Sequence, residues 1–285
     1  MKKTIGILYL CTGPYRLFWD EFYYSFEKNF LLDTEKHYFV FSDALGDLEL
    51  KYGKSKNVTL IHIDAMPWPL VTLLRFRYFI SIEEQLSQCE YLMFSNANIA
   101  CEQVVTEEEF LPRKSQGEKL SFVKHPGYWS KASCCCPLER RRRSLAYVPY
   151  NSREPYVIGA MFAGEGGAFL RMSRVLRDRI EVDLKDNTIA RWHDESHLNR
   201  YIVGRTDNRF LSPAYCYPWG FDLPLDRKIV AVSKEAKFDV ASFKSAQTKK
   251  MLPGVFLKKA FDKIALFGYI RKFRDSLLLK SLDIL

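Results

Sequence analysis

The chain has 285 residues, 47% of them hydrophobic and 15% aromatic, with 43 Lys+Arg against 34 Asp+Glu. That apolar fraction supports a packed core and excludes a mostly disordered chain, and the length suits one large domain or two modest ones. No uncharged apolar run comes near the ~20 residues a membrane helix needs.

Lys2-Lys3 followed by the apolar run Ile5–Cys11 looks superficially like a secretory leader, but Gly13-Pro14-Tyr15-Arg16 supplies no small-residue cleavage site. The run reads as a buried first strand ending at the Thr12-Gly13-Pro14 turn. Trp19 to Phe30 steps as an aromatic-faced helix, and His37–Phe41 and Val58–Ile63 are two further strands. Leu70 to Leu86 reads as one helix, with Leu73, Phe76 and Ile80 at i, i+3/i+4 spacing. Tyr91–Phe94 is a fourth strand running into Ser95-Asn96-Ala97-Asn98. Strand–helix alternation of this kind predicts an α/β fold, with a mostly parallel sheet covered by helices on both faces. Ligands of such sheets sit beyond the carboxyl ends of the strands, which puts Thr12–Tyr15 and Asn96–Asn98 beside any site.

Pro112 to Arg153 is richer in Pro, Gly and charge and reads as loops around short strands. Within it Arg140–Arg143 reads as a solvated loop with one or two internal pairs. Gly164-Glu165-Gly166-Gly167 lacks the Lys-Ser/Thr of a phosphate loop and reads as a turn. From Ala241 to Leu285 ten Lys/Arg face three acids, whereas residues 1–240 hold 33 bases and 31 acids. Leu257, Phe261, Ile264 and Leu266, Ile270, Phe273, Leu277 form stripes with the lysines elsewhere, the pattern of an interfacial amphipathic helix. The organisation expected is therefore a domain over 1–240 and a basic amphipathic tail over 241–285, which would meet an anionic membrane surface. A nucleic-acid partner is not expected, because the body is nearly neutral.

Seven cysteines, three of them consecutive at Cys134–Cys136, give no disulfide framework and no zinc spacing, and suit a reducing cytosol. Cys134–Cys136 would pack as small hydrophobes. His37 and His62 lie in strand patterns as structural residues. The densest polar cluster is Trp192-His193-Asp194-Glu195-Ser196-His197-Leu198-Asn199. On a helix His193 and His197 fall on one face at i, i+4, but the HExxH order and a third ligand are missing, so a metal role is disfavoured. Asp194 and Glu195 would point in different directions, one of them into a cleft. An acid amid Trp and His suits proton transfer or nucleophilic work.

Trp192–Asn199 matches the signature of glycosyltransferase family 6, which includes the histo-blood-group A and B transferases, the α-1,3-galactosyltransferase and smaller bacterial relatives. The resemblance runs over most of residues 5–235 in the family's order. It takes in Thr12-Gly13-x-Tyr15, Tyr38-Phe39-Val40-Phe41-Ser42-Asp43, and Trp68-Pro69-x-x-Thr72-Leu73-x-Arg75-Phe76. His125-Pro126-Gly127-Tyr128, Glu139-Arg140-Arg141, Gly159-Ala160-x-Phe162-x-Gly164 and Leu211-Ser212-Pro213-x-Tyr215 follow. Lacking a membrane stem, the chain resembles the bacterial type.

This resemblance implies a GT-A fold and retaining transfer of galactose or N-acetylgalactosamine from a UDP-sugar to the 3-hydroxyl of a galactose-terminated acceptor glycan, with or without fucose. Glu195 matches the catalytic carboxylate, as nucleophile or as stabiliser of an oxocarbenium-like state, and also an acceptor contact. Asp194 matches a donor-sugar ligand. Trp192 would give the acceptor an apolar platform and His125 a hydrogen bond. Leu10, Cys11, Thr12 and Tyr15 match the uridine-contacting segment, and Arg75 a residue near the diphosphate. Most animal members carry D-x-D where this chain has Asn96-Ala97-Asn98. Carboxamides are poor ligands for hard cations, so a metal-independent enzyme with no cofactor is expected, as in bacterial relatives. Arg75, Lys234 and Lys237 are candidates to offset the leaving UDP.

Ile158, Gly159 and Ala160 line the donor pocket by resemblance. The Ala160 methyl disfavours a 2-acetamido group by ~1–3 kcal/mol, so UDP-galactose is the expected donor and UDP-GalNAc the alternative. Pro137 and Pro218 stand where relatives can have polar acceptor contacts. The expected product is a blood-group-B-like or alpha-Gal-like glycan in lipopolysaccharide or lipooligosaccharide, made in the cytoplasm on the inner face of the membrane. A non-catalytic carbohydrate-binding protein is the rival from another class.

Overall fold

The computed structural model describes residues 3–243. Of the expected tail, only 241–243 fall among them, and the remainder of 241–285 lies outside the described residues. The chain begins with β1 (Thr4–Leu10), a 3-10 turn (Gly13–Phe18) and α1 (Trp19–Asn29). β2 (Glu35–Ser42), α2 (Gly46–Tyr52) and β3 (Val58–His62) follow. The expected single helix over 70–86 is three pieces: α3 (Leu70–Leu73), α4 (Arg75–Ser81) and α5 (Glu83–Leu86). At Leu74 and Ile82 ψ opens to 0° and 27°, interrupting the helix while keeping its apolar side inward. Apolar periodicity is blind to breaks of one residue.

Next come β4 (Tyr91–Ser95), β5 (Ile99–Cys101), α6 (Glu107–Phe110) and β6 (Leu120–Lys124). β7 (Val157–Glu165) leads straight into α7 (Gly166–Lys185). α8 (His193–Tyr201), β8 (Asn208–Leu211), β9 (Tyr217–Pro218) and β10 (Ile229–Ala231) complete the described strands and α-helices.

Seven strands form the main sheet in the order β3-β2-β1-β4-β7-β6-β8, and β5-β10-β9 form a second, small sheet. β7 is antiparallel to both its neighbours; the other four pairings are parallel. The α/β class with a mostly parallel sheet is therefore as expected; the small sheet is additional. Side-chain alternation builds the layers. Ile5, Ile7 and Tyr9 face Trp19, Phe22 and Phe26 of α1, while Leu8 faces Phe76 and Phe79 of α4 and Phe169 of α7. Tyr38 and Val40 of β2 and Tyr91 and Met93 of β4 continue the first layer, and Phe39, Phe41, Leu92 and Phe94 the second. The rings of Phe76, Phe79, Phe94, Phe162 and Phe169 pack against one another, mostly tilted, with centroids 5.3–6.1 Å apart.

Gly164–Gly167 is a strand-to-helix junction rather than the turn expected. A methyl at Gly164 would come within 2.5 Å of Leu120 Cδ2, and one at Gly166 within 2.5 Å of the Cys89 carbonyl oxygen, so both glycines permit close packing. Because β7 runs against β4, this junction lies at the opposite edge of the sheet from Asn96–Asn98. Arg140–Arg143 is the loop expected: Arg140 donates to the carbonyls of Val148 and Pro149, and Arg141 pairs with Glu139. His37 bonds Thr59 Oγ1 at 2.7 Å, a structural role; His62 is exposed at its strand end. Cys134 and Cys135 are exposed, against expectation, whereas Cys136 packs with Leu138, Val148 and Tyr156.

Candidate active site

A cavity of about 250 Å³ opens at the carboxyl edge of the parallel strands. Leu10, Thr12 and Tyr15 enter it from the end of β1, Asn96, Ala97 and Asn98 from the end of β4, and His125 from the end of β6. Ile158, Gly159 and Ala160 come from the start of antiparallel β7, Arg75 from α4, and Trp192, Asp194 and Glu195 from the start of α8. All these residues, scattered over 185 positions, meet because the ends of adjacent strands share one rim.

Glu195 is at the centre. Its Oε2 accepts the Gly159 N–H at 2.8 Å and its Oε1 the Tyr156 hydroxyl. Burial outweighs these two bonds and pushes its carboxyl up to about 7. Asp194 is buried, with Oδ2 3.3 Å from Arg75 Nη1. Burial raises its pKa and Arg75 opposes the shift. Arg75, itself 4% exposed, donates to the Gly159 and Thr72 carbonyls and lies over the Phe94 ring at 4.3 Å. Both acids therefore enter the cavity, rather than pointing apart as expected from their adjacency.

α8 is held by its own signature residues. Asn199 accepts the Val157 N–H at 2.9 Å and donates to the carbonyls of Val157 and Glu195, clamping the helix to β7. Ser196 Oγ accepts the Trp192 N–H. Buried Glu139 accepts the Arg191 N–H and pairs with Arg141, which also donates to the Ile189 carbonyl. His193 and His197 do not share a face. His193 has φ +51° at the helix start and packs edge-on to Trp68, whereas His197 is buried 3.5 Å from Asp183. The left-handed residue lies before the regular turns, so i, i+4 spacing fails there.

β7 presents three consecutive residues to the cavity, which a regular strand cannot do. Its pairing with β6 slips between Phe122 and Lys124, whose partners are Phe162 and Val157, so extra β7 residues bulge at the rim. A methyl on Gly159 would lie 3.1 Å from Glu195 Cβ and 3.4 Å from Asp194 Oδ2, so glycine lets α8 approach.

Gly13, at φ +55°, turns the chain after β1, and its N–H is held by Asp43 at 2.8 Å. Cys11 does not reach the cavity: its side chain is in the core, its N–H bonds the Phe41 carbonyl, and burial pushes its thiol up to about 12. Alternation accounts for this, because Leu10 and Cys11 point to opposite sides. Asn98 donates to the Val232 carbonyl at 2.8 Å and accepts its N–H through the main chain, which brings buried Lys234 to the rim. Lys237 is not a lining residue; it pairs with Glu21 at 3.3 Å.

Residues 1–241 match the family model of glycosyltransferase family 6. The chain belongs to glycosyltransferase family 6. The family 6 transferase is 35% identical to the O-antigen biosynthesis glycosyltransferase WbnI of Escherichia coli, over 81% of this chain and 95% of that protein. It is 26% identical to globoside alpha-1,3-N-acetylgalactosaminyltransferase 1 of Gallus gallus over 76% of this chain. It is 25% identical to histo-blood group ABO system transferase 2 of Rattus norvegicus, also over 76%. These matches span 62% and 64% of the two animal proteins. The mixed α/β architecture is that of a GT-A-like glycosyltransferase.

His125 and Trp192, expected at the acceptor side, both line the cavity. His125 Nδ1 accepts the Gly127 N–H at 3.1 Å, which leaves Nε2–H as the donor, and burial lowers its pKa to about 4, so the ring is neutral. Trp192 packs against the cluster of Cys136, Leu138, Val148 and Tyr156. The polar side chains that the end of β4 brings to the cavity are the carboxamides Asn96 and Asn98, poor ligands for hard cations. Asp194 is held by Arg75, and no group of three His, Cys, Asp or Glu could hold a metal among the described residues. Trp68, Val71, Phe94, His193 and Phe243 also line the cavity, and Tyr156 bonds Glu195, without having been expected as site residues. Trp68 and Thr72, another lining residue, stand in the Trp68–Phe76 motif, which is the one signal for them. No motif includes Tyr156 or Phe243.

Proposed function

We propose that this glycosyltransferase moves galactose, with retention of configuration, from UDP-galactose to the 3-hydroxyl of a galactoside. The observation that carries the reading is the half-buried Glu195 carboxylate, at the junction of the residue sets from β1, β4 and β7 and those of the acceptor side. Leu10, Thr12 and Tyr15 would receive uridine. Asp194, Ile158, Gly159 and Ala160 would enclose the donor sugar. His125 Nε2–H and Trp192 would orient the acceptor.

Glu195 acts on the developing positive charge at the anomeric carbon. Each of its oxygens holds one donor and keeps a second lone pair, so the carboxylate is aimed before the substrate arrives. Ionisation of Glu195 is required, since a protonated carboxyl neither stabilises an oxocarbenium-like centre nor attacks it. UDP leaves with its own charge and needs no carboxylic acid. Lys234 and the Asp194-paired Arg75 supply positive charge on that side, and neutral Asn96 and Asn98 repel the diphosphate less than two carboxylates would. The reaction therefore proceeds without a divalent cation.

The Ala160 methyl favours galactose. The N-acetylgalactosaminyltransferases among the relatives favour UDP-GalNAc as a second reading. The likeness to an O-antigen enzyme supports a lipopolysaccharide or lipooligosaccharide acceptor. No described helix is long and apolar enough to cross a membrane. The basic 241–285 segment would hold the enzyme on an anionic cytoplasmic face, and its deletion is expected to end binding to anionic vesicles.

Pairing UDP-Gal and UDP-GalNAc with plain and fucosylated galactosides tests donor and acceptor together. Glu195→Gln is expected to lower transfer by ~10²–10⁴-fold. Near-normal turnover, or turnover abolished by EDTA, would overturn the corresponding part of the reading. Absence of any transfer or UDP-sugar hydrolysis would favour the carbohydrate-binding alternative.

A further inference from the structure

A second recess lies between α7 and the C-terminal end of α8, and it shares no lining residue with the catalytic cavity. Its volume is about 460 Å³, and its walls include Arg171 and Arg179 of α7, Arg200 at the end of α8, Tyr201, and Arg205 just beyond. No carboxylate lines it. Arg205 pairs with Asp207 and lies over the Tyr201 ring at 4.7 Å. Neither Arg179 nor Arg200 forms an ion pair with a carboxylate among the described residues, and Arg179 Nη1 is buried without a hydrogen-bond partner. Burial and the neighbouring Arg200 cation both lower the Arg179 pKa, so the charges meet at a cost in the absence of an anion. The negative end of the α8 dipole favours a cation in its last turn, which accounts for Arg200 and not for Arg171 and Arg179 of α7.

We propose that this recess is a binding site for a phosphate group, separate from the site of glycosyl transfer. Guanidinium donors in a fork match phosphate oxygens bidentately. Arg179 Nη1 supplies a buried donor, Arg171 and Arg200 line the same recess, and Arg205 joins them from over the Tyr201 ring. The recess is larger than a single phosphate and would admit part of its carrier, either a small phosphorylated molecule or the headgroup of an anionic lipid.

The full chain, with UDP saturating the catalytic cavity, is titrated with pyrophosphate by calorimetry. Flotation with phosphatidylcholine vesicles, with and without phosphatidylglycerol, forms the second arm. The double variant Arg179→Gln/Arg200→Gln is compared with the parent in both, and retained UDP binding certifies its fold. Pyrophosphate binding weakened roughly tenfold or more supports the site and assigns a soluble phosphate. Weakening confined to phosphatidylglycerol vesicles, with the part carried by 241–285 retained, supports it and assigns the headgroup. Should the double variant not bind UDP, Arg171→Gln, which changes an exposed side chain, is read the same way. Unchanged binding in both arms, or no binding by the parent, overturns the proposal.

Discussion

Replacing Glu195 by Gln should cost activity while raising stability, and the gain should depend on pH in a defined direction. Burial lifts this carboxyl from 4.5 to about 7 in the folded chain. A raised folded-state value means that the native protein holds its proton more tightly than the unfolded chain does. The contribution is therefore most favourable at low pH and is lost as pH rises from about 4.5 to about 7. At ~1.36 kcal/mol per unit the full effect is about 3 kcal/mol. Glu195 keeps part of its surface open to the cavity, and screening there reduces the expected figure to about 2 kcal/mol. Glutamine keeps the shape and loses the charge, although its amide can satisfy only one of the Gly159 and Tyr156 donors as well as a carboxylate does. Urea unfolding of both proteins from about pH 5 to about pH 8 isolates the effect, because other groups titrate alike in the two. The stability difference should move towards the Gln variant by about 2 kcal/mol across that range and level off above it. A difference that stays constant with pH, or moves the other way, would refute the account of a desolvated Glu195 carboxylate.

The same ionisation should appear in the rate: kcat/KM for the donor rises with pH and reaches half its plateau near 7, and a profile flat from about pH 5.5 to about pH 8 would contradict the role. His125, neutral above about 4, should add no second inflection in that range. Asn199→Leu leaves the buried Val157 N–H and carbonyl unpaired and should cost ~2–4 kcal/mol in unfolding experiments. Gly159→Ala pushes against Glu195 Cβ at 3.1 Å and should lower kcat by about tenfold or more, with a small change in melting temperature; an unaltered kcat would show that α8 can retreat without consequence. Arg75→Met strands the Asp194 charge and should destabilise the fold by ~3–5 kcal/mol at neutral pH, with the loss easing as Asp194 is protonated.

The first four strands, α1 and the position of the cavity were legible in the sequence, because apolar runs bounded by turns report buried parallel strands, and such strands leave their ligands at one rim. The Trp192–Asn199 signature marked Asp194 and Glu195, but three features escaped it. Periodicity could not see the breaks at Leu74 and Ile82. Alternation could not anticipate the β7 bulge that turns Ile158, Gly159 and Ala160 all to the cavity. The i, i+4 rule put His193 and His197 together, although a left-handed residue opens the helix. Cys11 resembled a binding residue through its neighbours and is a core residue by the parity of its strand.

The sequence alone determined which residue types meet at the site, since a short fingerprint preserves chemistry. Only the tertiary structure decided what those residues do to one another. Whether Glu195 is desolvated, which cation Asp194 answers to and how Lys234 is drawn to the rim all depend on distances between segments far apart in the chain. Electrostatic energies follow such distances and the local dielectric, and neither is written in residue order.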